Sequence, residues 1–347
     1  MRRSITPLIA VLVLQLVLAL ALLMRRDPLA GARSDTPLVR ADAVKGADQI
    51  VLESRPAAAA TLAQSASPSG VAASESTRIV LKRKDGAWVL PDAFDAPADG
   101  AKVSSLLDRL VALKRGLPIA TSESALRRFK LLDDNFERRL VLSAGGKTLG
   151  TVYFGSSPGL RKSDARADDD RGVYAVDLPT YELPTDLGAW LNEDLLKGDS
   201  SHLAEIDVTG AARDTIQLVR QKGGDKQPDS WSDPSLKGEQ RIDSAHAQSL
   251  VQQVGQLRVD AVLGTAARPE WQQDHPAVTL TLRDDKSQSI QWTLSKPASG
   301  DFYVLKSSSH PWYFSIGAAL GKQVIDASSR DALIVAAKPS PASGGKT

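Results

Sequence analysis

AKVSSLLDRLVALK, residues 101–114, and AHAQSLVQQVGQLR, residues 245–258, decide how this chain folds. In the first, Val103, Leu106, Leu107, Leu110 and Leu113 fall on one helical face. In the second, Ala247, Leu250, Val251, Val254 and Leu257 recur at the same spacings. A stripe of this kind marks an amphipathic helix that buries one side. Asp99 and Asp243 stand just before the two runs and suit helix N-caps. The segments superpose without a gap, so the chain reads as two copies of one unit.

Outward from the helices the two copies keep the same order. Residues 48–53 (DQIVLE) and 78–83 (RIVLKR) precede the first helix, followed by Trp88 with Pro91 three residues on. Residues 205–208 (EIDV) and 215–220 (TIQLVR) precede the second, followed by Trp231 and Pro234. Their alternating apolar positions suit half-buried strands, and the paired tryptophans suit core packing. After the helices come residues 139–143, 148–154 and 172–176 in one copy, and 277–282, 289–294 and 301–305 in the other. Gly, Asp and Lys between them are hairpin-turn residues. Each copy closes on an apolar, partly helical stretch, residues 187–196 and 316–325.

The expected class is α+β: an N-terminal transmembrane helix, then two tandem modules, each an antiparallel sheet with a packed amphipathic helix. The expected boundaries are 1–26 for a cytoplasmic tip and signal anchor, 27–43 for a linker, 44–199 and 200–333 for the modules, and 334–347 for a disordered tail. Within the first module, residues 56–76 are an Ala/Ser-rich loop and residues 156–171 a charged loop.

The anchor rests on residues 5–24, ITPLIAVLVLQLVLALALLM, which carry no charge and are bracketed by Arg2, Arg3, Arg25 and Arg26. As a helix the run is about 30 Å long, enough to cross a bilayer core. It is longer than the usual apolar core of a cleaved signal, which favours an uncleaved anchor, although Ala19-Leu20-Ala21 and Ala30-Gly31-Ala32 keep a cleavage site open. The tail before it is short and the domain after it long. Long domains translocate largely regardless of charge, so the bulk is expected to be periplasmic or extracytoplasmic, on a chain that crosses its membrane once.

Composition excludes more chemistry than it suggests. With no cysteine, disulfides, thiolate catalysis and Cys-ligated zinc are ruled out. The net charge of +2 turns to −2 once the four arginines flanking the apolar run are set aside, which argues against nucleic acid. None of His202, His246, His275 and His310 shows zinc-site spacing. Asp168, Asp169 and Asp170 are interleaved with basic residues and lack the glycine and final Glu of a calcium loop. Gly145-Gly146-Lys147-Thr148 lacks the first glycine of a phosphate loop and reads as a turn. No catalytic, cofactor-binding or metal-binding residue is assigned. His310-Pro-Trp-Tyr-Phe314 is the one dense aromatic cluster. Core packing is its first reading and partner contact the second, with Trp271, Trp312 and Tyr313 as contact candidates.

The segments 79–91, 103–113, 140–155 and 173–176 together resemble a bacterial family labelled domain of unknown function 4340, over most of residues 45–330. The resemblance implies a single-anchor envelope protein, with some members associated with ABC-type transport systems of the gliding-motility or auxiliary kind. It supplies no catalytic residues. The expected function is therefore a non-enzymatic, membrane-anchored scaffold or accessory subunit, with permease and ATPase chains as partners. A periplasmic binding module for cell-wall glycan, lipid or exported polymer is the alternative, and an unrecognised hydrolase the second.

Overall fold

The alternating strand segments build two eight-stranded sheets. A computed structural model describes residue 15 and residues 36–55, 77–197, 202–212, 214–223 and 229–336. In chain order the first half runs α1 (Ala41–Lys45), β1 (Gln49–Ser54), β2 (Arg78–Lys84), β3 (Ala87–Leu90), β4 (Ala96–Pro97), α2 (Gly100–Ala112), α3 (Glu123–Arg128), β5 (Leu131–Leu132), β6 (Asn135–Phe136), β7 (Arg138–Ala144), β8 (Lys147–Phe154), β9 (Ser163–Ala167) and β10 (Tyr174–Val176). The second half runs β11 (Leu203–Gly210), β12 (Thr215–Gln221), β13 (Ser230–Ser232), β14 (Gln240–Ile242), α4 (Ser244–Gly255), β15 (Ala261–Gly264), β16 (Val278–Asp284), β17 (Ser289–Ser295), β18 (Phe302–Ser307), β19 (Tyr313–Gly317), α5 (Ala318–Ala327), α6 (Arg330–Leu333) and β20 (Ile334–Ala336). The fold is α+β, dominated by two large antiparallel sheets with few helices.

The sheet orders are β10-β9-β8-β7-β1-β2-β3-β4 and β13-β12-β11-β16-β17-β18-β19-β15. Each places the first strand of its half between the next strand in sequence and a strand that follows the helix. Thus β1 pairs antiparallel with β7 from Gln49↔Ser143 to Ser54↔Arg138. Likewise β11 pairs with both β12 and β16. By contacts the chain divides into two compact units, residues 1–78 with 104–185, and residues 79–103 with 186–347.

In the first unit Ile50, Leu52, Leu140, Leu142, Val152 and Phe154 are buried, as are Leu106, Leu110 and Leu113 of the α2 segment. A smaller core of Leu126, Leu131, Phe136, Tyr153 and Val173 joins α3 and the β5–β6 hairpin to the sheet. In the second unit Ile206, Val208, Leu218, Leu280, Trp292 and Leu294 are buried, and α4 buries Ala247, Leu250 and Val254 while packing on β13, α5 and α6. Both caps form. Asp99 Oδ1 accepts from the N–H groups of Ala101 and Lys102, and Asp243 Oδ1 from those of Ala245 and His246, satisfying donors the first helical turn leaves free.

Three expectations are corrected. Residues 163–167, placed in a charged loop, form β9 between β8 and β10, with Ser163, Asp164 and Arg166 all buried. Its polar side chains hide the alternation because they bury against partners rather than solvent. Residues 36–43, placed in a linker, begin the fold: Leu38, Val39 and Ala43 are buried, and Pro37 bridges Lys114. Residues 334–336, placed in a disordered tail, pair as β20 with β14. The apolar run 5–24, the loop 56–76 and the tail beyond residue 336 lie outside the described residues. No helix among the described residues is long and apolar enough to cross a membrane.

Candidate functional site

Two of the three aromatic candidates, Trp271 and Tyr313, pack against each other in the second unit, while Trp312 lies against His310 and Phe314. Strand alternation along β19 sends Phe314 and Ile316 into the core and Tyr313 to the other face. There Tyr313 meets Trp271, ring centroids 5.0 Å apart at an interplanar angle of 41°. Trp271 ends a 3-10 turn, Pro269–Trp271, and is buried, so it serves as the floor. Arg268 lies 5.2 Å over the Trp271 ring and Lys306 5.4 Å from the Tyr313 ring. Burial holds the Lys306 amine below its ordinary pKa, while its ammonium donates to the carbonyls of Ser307 and His310.

Trp312 stays partly exposed and stacks on His310 at 5.9 Å. The His310 ring in turn hydrogen-bonds the Leu195 carbonyl through Nε2 at 3.1 Å. The Trp312 indole Nε1 donates to the Phe94 carbonyl at 2.9 Å. Phe94 is the member that sequence reasoning missed. It follows the 3-10 turn Pro91–Ala93 in a left-handed conformation, φ 58° and ψ 42°, and Asp95 after it has φ 58°. That conformation costs a non-glycine residue roughly 1–2 kcal/mol. Even so, the Phe94 side chain is 47% exposed. Gly264 of β15 lies beside it: a Cβ there would sit 3.4 Å from Trp271 and 3.8 Å from Phe94. Phe94 and Trp271 thus both approach Gly264 and Tyr313 packs on Trp271, whereas Trp312 stacks with His310, sits beside Phe314 and reaches Phe94 through its indole N–H. No sequence pattern marks Phe94, because its backbone is fixed by the turn and the Trp312 bond.

A second polar cluster lies in the first unit. Cross-strand register aligns Glu53 with Arg139, Arg139 with Tyr153, and Tyr153 with Arg166. Arg139 Nε donates to Glu53 at 2.6 Å, Arg78 pairs with Glu53 at 3.3 Å, and Arg166 donates to Asp133 at 2.7 Å while lying 4.3 Å over the Tyr153 ring. Burial, reinforced by Asp133, pushes the Tyr153 phenol up. Beside this row is a cleft of about 370 Å³ whose walls include Leu126, Leu132, Arg127, Asp133, Arg166 and Arg171. Within this cleft Arg166 is held by its ion pair with Asp133.

The triplet Asp168-Asp169-Asp170 is fixed from elsewhere in the fold. Arg115 pairs with Asp169 at 2.7 Å and Asp170 at 3.1 Å, and the Tyr174 hydroxyl donates to Asp170. Burial and the Asp170 hydrogen bond push Tyr174 up to about 12. Among the described residues no three His, Cys, Asp or Glu side chains group as metal ligands.

Two large antiparallel sheets with few helices define the class as α+β. The family model described as domain of unknown function (DUF4340) matches residues 88–276, and the chain belongs to that family. No curated protein matches the chain, and neither does any solved structure.

Proposed function

We propose that this is a non-enzymatic, membrane-anchored envelope protein that serves as a scaffold or accessory subunit, with ABC-type permease and ATPase chains as its partners. Residues 5–24 hold it in the inner membrane with its bulk in the periplasm, and its two sheets descend from one duplicated module. The shared strand order supports the duplication. The observation that carries the contact role is Phe94, a half-exposed aromatic held in an unfavourable left-handed conformation at the surface. Aromatic residues, phenylalanine among them, are enriched at protein interfaces relative to the rest of the surface.

The test is crosslinking in intact cells, then gentle purification through a C-terminal tag and mass spectrometry, comparing the parent with Phe94→Gly. Glycine relieves the left-handed strain but loosens the unfolded chain, so stability should stay within about 1 kcal/mol of the parent. Stoichiometric transporter subunits recovered with the parent and lost with the variant are expected. Recovery of the parent alone, or with glycan or lipid, would overturn the accessory role and favour the ligand-binding alternative.

A further inference from the structure

Leu117, Pro118 and Ile119 form a run of exposed apolar residues, with Leu117 48% and Ile119 51% exposed. Three in a row on a surface is unusual unless the run has a use. Its position suggests one. The chain that leaves residues 5–24 enters the fold at Thr36, where the Arg115 N–H donates to the Thr36 carbonyl at 2.8 Å and the Leu38 N–H to the Leu113 carbonyl at 2.8 Å. The pairing is antiparallel, Pro37 facing Lys114. The described segment thus starts at Thr36 beside Arg115, two residues before Leu117. Residues 25–35, the stretch between, reach at most about 40 Å when fully extended.

The loop is held at both ends. Arg115 is tied to Asp169 and Asp170, and the Ile119 N–H donates to the Val173 carbonyl at 2.8 Å, next to the Ala120–Val173 bridge. Leu117 and Ile119 are therefore presented on fixed backbone.

We propose that residues 116–119 dip into the surface of the bilayer that holds the apolar run, Leu117 and Ile119 entering the boundary between headgroups and acyl chains. The inference rests on the anchor reading above. A pair of apolar side chains binds a membrane weakly alone, but tethering makes the contact intramolecular and raises its effective concentration. Two attachments, helix and loop, would then fix which face of the first unit looks at the membrane.

The chain has no cysteine, so single labels are unambiguous. Leu117→Cys, Ile119→Cys and Leu160→Cys would each carry an environment-sensitive fluorophore on the full chain in nanodiscs of phosphatidylethanolamine and phosphatidylglycerol, with and without lipid-borne spin quenchers. Leu160 is 95% exposed and precedes the start of β9, whereas the β9–β10 register sets Val173 near the other end of that strand, which makes Leu160 the control. The expected result is at least about a twofold loss of fluorescence at positions 117 and 119 and none at 160. Labels at 117 and 119 that ignore the lipid quenchers and respond to aqueous iodide, on chains that co-elute with the discs, would overturn the loop contact and leave the anchor standing. Chains that never enter the discs would overturn the anchor reading and the loop contact with it.

Discussion

Asp164 is the least comfortable residue of the first unit. It is 1% exposed, and its Oδ1 has no hydrogen-bond partner. Burial lifts its pKa above the ordinary carboxylate value, and a hydrogen bond from Ser156 offsets this only in part. A carboxyl raised in the folded state supports the fold fully below its unfolded pKa of about 3.9 and withdraws that support as pH climbs through the folded value. Asp164→Asn keeps the shape and removes the charge. Its urea midpoint should exceed that of the parent near pH 7, by about 1 kcal/mol in stability, with the difference shrinking toward about pH 3.5. Equal destabilisation at both pH values would show that the carboxylate is satisfied in the fold. Phe94 presents the opposite situation at the same scale. Its strain lies in the backbone, at a surface position, so its removal should be visible in partner recovery and not in stability.

Among the elements, α2 and α4 were legible from the first because helical periodicity and an aspartate cap agree. Asp99→Ala and Asp243→Ala should each cost about 1 kcal/mol in urea denaturation, since each aspartate accepts from two backbone N–H groups of the first turn. A negligible loss at either site would mean that water replaces the side chain there. The strands with clean alternation, β7 and β16 among them, were legible for the same reason. β9 was not. Asp164 and Arg166 look solvent-facing in sequence, and only the register that sets Arg166 against Tyr153 shows why they are inside. The site divides in a similar way. Trp271, Trp312 and Tyr313 stand out by composition, and the fold packs Tyr313 on Trp271 but sets Trp312 against His310 and Phe314. Phe94 joins Trp312 through one indole-to-carbonyl bond, and no local pattern encodes such a bond.

At the scale of the whole molecule, both sheets are organised around a non-local pair. Gln49 faces Ser143 in one and Leu203 faces Asp284 in the other. Sheets dominated by such pairings fold in roughly milliseconds to seconds, more slowly than helical bundles, because long loops must close before the contacts reward them. Stopped-flow refolding followed by tryptophan fluorescence, with Trp292 buried beside the β16 pairing, should fall in that range. Microsecond refolding would contradict a nucleus built on these central strands. The same arrangement matters while the protein is being made. β1 leaves the ribosome early, and its partner β7 is synthesised only after α2, α3 and the β5–β6 hairpin. Until then one edge of β1 lies bare, apolar and ready to pair with a neighbour. During synthesis the exposure of this edge therefore lasts as long as the interval between β1 and β7.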